Sequence, residues 1–115
     1  MTFKYFPSEK NRSIAFRLIA GNGRIILSSV AFPSMVECWE AILDLRLRSN
    51  NPNCFQLQNS KSKKYSYAFY DAAGSLLACS PHYRSATSRN RALRQLPERL
   101  HRALLTTPPF PQGEK

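Results

Sequence analysis

The chain repeats itself, and that restricts its fold more than any single motif does. Shifted by 51 residues, Phe16 falls on Tyr67, Leu18 on Phe69, Gly23 on Gly74, Ile26 on Leu77, Ser29 on Ser80, Phe32 on Tyr83 and Ser34 on Ser85. Ile42 likewise meets Leu93 and Leu45 meets Leu96, and no gap is needed from Ile14/Tyr65 to Leu45/Leu96. A chain of 115 residues has room for one hydrophobic core, so the two copies must share it.

Each copy reads as three strands and a helix. In the first, residues 3–6 form a short strand and residues 7–13 a polar loop. Ile14, Phe16 and Leu18 then alternate with smaller or charged residues at the two-residue period of a half-buried strand. Asn22-Gly23 predicts a hairpin, since both residues tolerate positive φ, and residues 24–29 return as the third strand. Ser34, with Glu37 three residues on, has the pattern of a capping box, and the helix it starts must end before Asn50-Asn51-Pro52. In the second copy residues 55–57 open, residues 61–64 form the loop, and strands 65–70 and 76–80 flank a turn at 71–74. Ser85 caps the second helix. Pro97 predicts that residues 98–105 are a kinked extension or a separate short helix. The expected organisation is one domain over 1–107, with repeats at 3–49 and 54–105 and a Pro-rich tail at 108–115.

The run Phe16-Arg17-Leu18-Ile19-Ala20-Gly21-Asn22-Gly23-Arg24-Ile25-Ile26-Leu27-Ser28-Ser29, followed by Phe32 and the helix at Ser34, resembles the repeat of the YegP-like family of small bacterial proteins. The family pattern is an aromatic-apolar strand ending Leu-x-Ala-x-Asn, an Ile-x-x-Ser strand, then an aromatic residue and a helix. The resemblance extends over residues 3–96. The second copy departs from it with Asp71 and Ala73, and the Asn-Gly usual within the helix is replaced by Glu40-Ala41 and Arg91-Ala92. Met35 and Ala86 stand where a basic residue is usual. The resemblance implies an α+β fold in which two tandem β-β-β-α repeats form one antiparallel sheet, with the helices packed on one face, a pseudo-dimer within one chain. It implies no reaction, ligand or cofactor.

Charge supplies the first functional expectation. Lys and Arg number 17 against seven Asp and Glu, for a net charge of +10. Residues 54–115 hold ten of the bases and only three of the acids. Such a surface draws polyanions by counterion release. Lys61, Lys63, Lys64, Arg84, Arg91, Arg94, Arg99 and Arg102 are therefore the candidates for contact with nucleic acid, through phosphates rather than base edges. Stacking across the sheet is not expected, because Phe16, Tyr65, Tyr67 and Phe69 share the helix-facing phase. Ala15, Arg17, Ser66, Ala68 and Tyr70 take the opposite face.

The first helix supplies the second expectation. Met35, Cys38, Ala41, Ile42 and Leu45 form the stripe that faces the sheet, and Val36, Trp39, Leu43 and Leu47 form another beside it. The second helix has Thr87, Asn90, Arg94 and Glu98 at the equivalent positions. Either Leu100, Leu104 and Leu105 fold back over Trp39 and Leu43, or the stripe is an interface anchored by Trp39. The interface would make the protein a homodimer, or an adaptor or inhibitor of a host regulatory or defence protein.

Catalysis finds little to work with. Cys79 and His82 are the one thiol and imidazole close in sequence, and Asp71 is the only acid between Cys54 and Pro97. There is no Gly-rich phosphate loop and no metal-type spacing of His or Cys. The expectation is a non-enzymatic binding protein without cofactor or metal. Three cysteines, an odd number, suit reduced thiols and the cytoplasm. No apolar run approaches the roughly 18 residues of a membrane span.

Overall fold

A computed structural model describes residues 2–8, 12–59, 62 and 64–106, the side chains of 104–106 excepted. The elements are β1 (Thr2–Ser8), β2 (Ser13–Ile19), β3 (Ile25–Ser29), α1 (Met35–Arg48), a 3-10 turn (Pro52–Cys54), β4 (Phe55–Asn59), β5 (Tyr65–Tyr70), β6 (Leu76–Cys79) and α2 (Ala86–Thr106). The strands form one antiparallel six-stranded sheet in the order β1-β2-β3-β6-β5-β4. That order is a palindrome of the two repeats. At its centre Ser28 pairs with Cys79, its own counterpart under the 51-residue shift, so a pseudo-twofold axis passes between them.

The matched residues do matching work. Ser29 Oγ accepts from the Phe16 N–H at 2.8 Å and donates to the Val30 carbonyl; Ser80 Oγ accepts from the Tyr67 N–H at 2.9 Å and donates to the Pro81 carbonyl. In each repeat a serine hydroxyl thus satisfies a strand N–H where the third strand leaves the ladder. Phe32 and Tyr83 then return to bridge Ile14 and Tyr65 through paired backbone hydrogen bonds. One rung is not shared. Val30 donates to the Leu77 carbonyl across the centre, whereas its counterpart Pro81 has no N–H to give.

Both hairpins turn on a glycine. Gly23 and Gly74 have φ of +88° and +89° and donate to Ala20 and Asp71 respectively, closing four-residue turns. Asn22 does not take positive φ as expected; its Oδ1 instead accepts from the Arg24 N–H. Asp71 compensates for the missing asparagine in the second turn, its Oδ1 accepting from both Ala73 and Ser75. Because a Cβ on Gly74 would meet nothing, Gly74→Ala isolates the backbone cost. It should lower stability by about 1–2 kcal/mol in urea titrations.

A single core lies between the sheet and the helices. Phe16, Leu18, Tyr67 and Phe69 meet Cys38, Ala41, Ile42 and Leu45 of α1 and Leu96, Leu100 and Ala103 of α2, all buried. Ser34 and Ser85 cap the helices by accepting from the N–H of Glu37 and Ser88.

Several sequence expectations need correction. The first strand runs to Ser8 and re-forms the ladder at Ser13, because Pro7 and Ser8 still pair with Ile14 and Ser13. β4 extends to Asn59 by pairing with Tyr65. Of the two readings at Pro97, the extension holds and the separate short helix does not: α2 is continuous from Ala86 to Thr106, held by burial of Leu96 on one side of the proline and Leu100 and Ala103 on the other. Ser66 and Ala68 are buried although they point away from the helices; both are short, and Gln58 lies over Ser66, accepting its hydroxyl. No helix is long and apolar enough to cross a membrane among the described residues.

Candidate anion-binding cleft

The first turns of α2, the residues leading into it and the β2–β3 turn enclose an open cleft of about 500 Å³. Arg91 and Arg99 face it from α2, Arg84 and His82 from the approach to the helix, and Arg24 from the hairpin. No carboxylate lines it among the described residues. The site spans both repeats, since the helix of the second lies over the hairpin of the first. Four guanidinium groups converge there, none of them in an ion pair among the described residues.

Two phenols lie beneath these arginines. Burial pushes the Tyr83 hydroxyl above its ordinary range, while Arg24 and Arg99 pull it back. Burial raises Tyr67 further, the neighbouring Tyr83 adds to the rise and Arg99 opposes it. The Tyr67 hydroxyl has no hydrogen-bond partner among the described residues.

The pseudo-dyad supplies an internal comparison. Shifting the cleft by 51 residues puts Pro33 at Arg84, Glu37 at Ser88, Glu40 at Arg91, Asp44 at Gln95 and Arg48 at Arg99. The equivalent surface on α1 is therefore acidic. Its arginine is also internally satisfied: Arg48 pairs with both Asp44 oxygens at 2.7 and 2.8 Å, donates to the Tyr70 carbonyl at 2.9 Å and lies 5.0 Å from the Phe69 ring centroid. Tyr70 belongs to the second repeat, so here too a helix reaches over the other repeat's hairpin.

The expected basic residues do not form one patch. Arg84, Arg91 and Arg99 gather in the cleft. The Tyr65–Tyr83 bridge brings Lys64, which is exposed, beside Arg84 in register. Arg94 projects to the other side of α2, into a groove with Phe55, Leu57 and Pro97. Arg102 is exposed and pairs with Glu98 at 2.8 Å. Lys61 and Lys63 lie outside the described residues. Sequence reasoning missed Arg24, because only the crossing of repeats brings the first hairpin to the second helix, and it weighed His82 only as a partner for Cys79. It also missed Arg89, which is only 4% exposed at the position of Cys38. Arg89 donates to the Gln58 carbonyl and Asn59 Oδ1, tying α2 to the end of β4.

The apolar stripe of α1 divides. Trp39 is half-buried against the core, while Val36, Leu43 and Leu47 stay exposed, Leu47 at 74%. Leu100 enters the common core, and the side chains of Leu104 and Leu105 lie outside the described residues.

No protein-family model and no curated protein matches the chain. Two solved structures share its fold. YegP from E. coli, described as a protein of unknown function, aligns with a TM-score of 0.77 at 23% identity over 86% of this chain and 84% of that one. A UPF0339 protein from Shewanella oneidensis aligns with a TM-score of 0.74 at 22% identity over 85% of this chain and 84% of that one.

Proposed function

With the YegP-like fold as premise, we propose that the protein is a non-enzymatic, cytoplasmic module that binds nucleic acid through its phosphates, seated in the arginine cleft. The observation that supports this reading is the gathering of Arg24, Arg84, Arg91 and Arg99 on a cleft with no acidic side chain among the described residues. Like charges brought together at one place repel, and an anionic ligand relieves that cost. A cleft of about 500 Å³ is the size of a small-ligand pocket and admits part of a single strand rather than a whole duplex. With the sheet aromatics buried, sequence preference is expected to be small.

The alternative of a protein partner on the first helix has the weaker footing. Its stripe keeps three exposed apolar side chains but its anchor, Trp39, belongs partly to the core.

Fluorescence anisotropy with a single-stranded oligonucleotide of about 12 nucleotides, over a salt series, tests the proposal. Four phosphate contacts on a single strand predict a slope of log K against log salt near −3, using roughly 0.7 per contact. Absence of binding at low salt would remove nucleic acid as the ligand.

A further inference from the structure

We propose that the cleft holds a phosphate oxyanion against Arg99, in the place that the Asp44 carboxylate takes against Arg48 in the first repeat. The proposal rests on the polyanion reading above and assigns its central contact.

Arg48 and Arg99 are equivalent under the 51-residue shift, and each stands four residues after the position that decides its partner. In α1 that position is Asp44, and the two side chains meet through two parallel hydrogen bonds. In α2 it is Gln95, neutral and exposed, lining the same cleft as Arg99. The second repeat keeps the guanidinium and omits the built-in acid. A phosphate presents two oxygens at a spacing that matches the planar guanidinium fork much as a carboxylate does.

The replacement at Gln95 is one of a set with a common direction. Glu40 gives way to Arg91 and Pro33 to Arg84, which adds positive charge around the same point. Phe16 and Phe32 give way to Tyr67 and Tyr83, which place two hydroxyls within the electrostatic reach of Arg99. Tyr83 lines the cleft, whereas the Tyr67 hydroxyl is buried and, like that of Tyr5 in the first repeat, has no hydrogen-bond partner among the described residues. The changes at Gln95, Arg91 and Arg84 favour an anion beside Arg99, and the first repeat, which has its own carboxylate, shows none of them.

The oxyanion has two sources, a terminal phosphate monoester and an internal diester of the strand. Anisotropy titrations with the single-stranded oligonucleotide, with and without a 5′-phosphate, distinguish them. Gln95→Asp restores the first repeat's acid and should weaken binding of the preferred oligonucleotide at least about tenfold, as Arg99 turns to the introduced carboxylate. Gln95→Asn should change it less than about twofold. Arg94→Gln controls for charge, because it lowers the net charge by the same one unit on the same helix but faces a different groove. It should cost less than about threefold. Equal losses in Gln95→Asp and Arg94→Gln, or no loss in Gln95→Asp, would overturn the placement against Arg99 while leaving nucleic-acid binding intact. Failure of the unmodified protein to bind either oligonucleotide overturns the functional reading itself.

Discussion

Reversing two charges, Arg84→Glu with Arg91→Glu, should weaken single-strand binding on the order of 100-fold at moderate salt, from about 1.4 kcal/mol lost at each site. Both side chains are exposed at the cleft, so the doubly substituted protein should keep its far-ultraviolet circular dichroism and its melting temperature. The matched control is Arg94→Glu with Arg102→Glu. It changes net charge by the same amount in the same repeat, but Arg94 faces a different groove and Arg102 is already paired with Glu98. Its effect should stay within about threefold, since the Debye length near physiological salt is only about 8 Å. Equal losses in the two double variants would mean that the overall charge, and not the cleft, governs binding.

Phe69→Ala should destabilise the fold by about 3–5 kcal/mol, a large share of the roughly 5–15 kcal/mol that holds an ordinary domain together. Phe69 is completely buried, lies 5.2 Å from the Phe55 ring and is covered by the Arg48 guanidinium of the other repeat. Its truncation opens a cavity at the seam where each helix crosses to the opposite hairpin. Urea unfolding followed by circular dichroism measures the loss. Leu57→Ala, on the exposed face of the edge strand β4, should cost less than about 0.5 kcal/mol in the same assay. A loss below about 1 kcal/mol at Phe69 would show that the repeats do not depend on a common core.

The duplication made most of the fold legible. Paired serines, glycines and aromatics located both hairpins and both helix starts, because those positions answer to local hydrogen bonding. Where tertiary packing overrode local preference, the sequence was silent. Pro97 breaks a helix unless burial on both sides holds it, and Leu96, Leu100 and Ala103 provide that burial. Arg89 reads as a surface residue until the end of β4 is placed beside it. The cleft was half visible: Arg84, Arg91 and Arg99 follow from charge on one helix and the residues leading into it, whereas Arg24 depends on which hairpin that helix covers. Separating Arg94 and Arg102 from that set needed the rotation of the helix on the sheet and the Glu98 pairing.

The pairing of Arg48 with Asp44 has a further consequence for how the molecule would behave on a long polymer. Were both halves alike, each protein would grip at two points and could tie separate strands into a network. With Asp44 occupying Arg48 in the first repeat, the binding proposed above would leave one gripping half per chain, the second repeat.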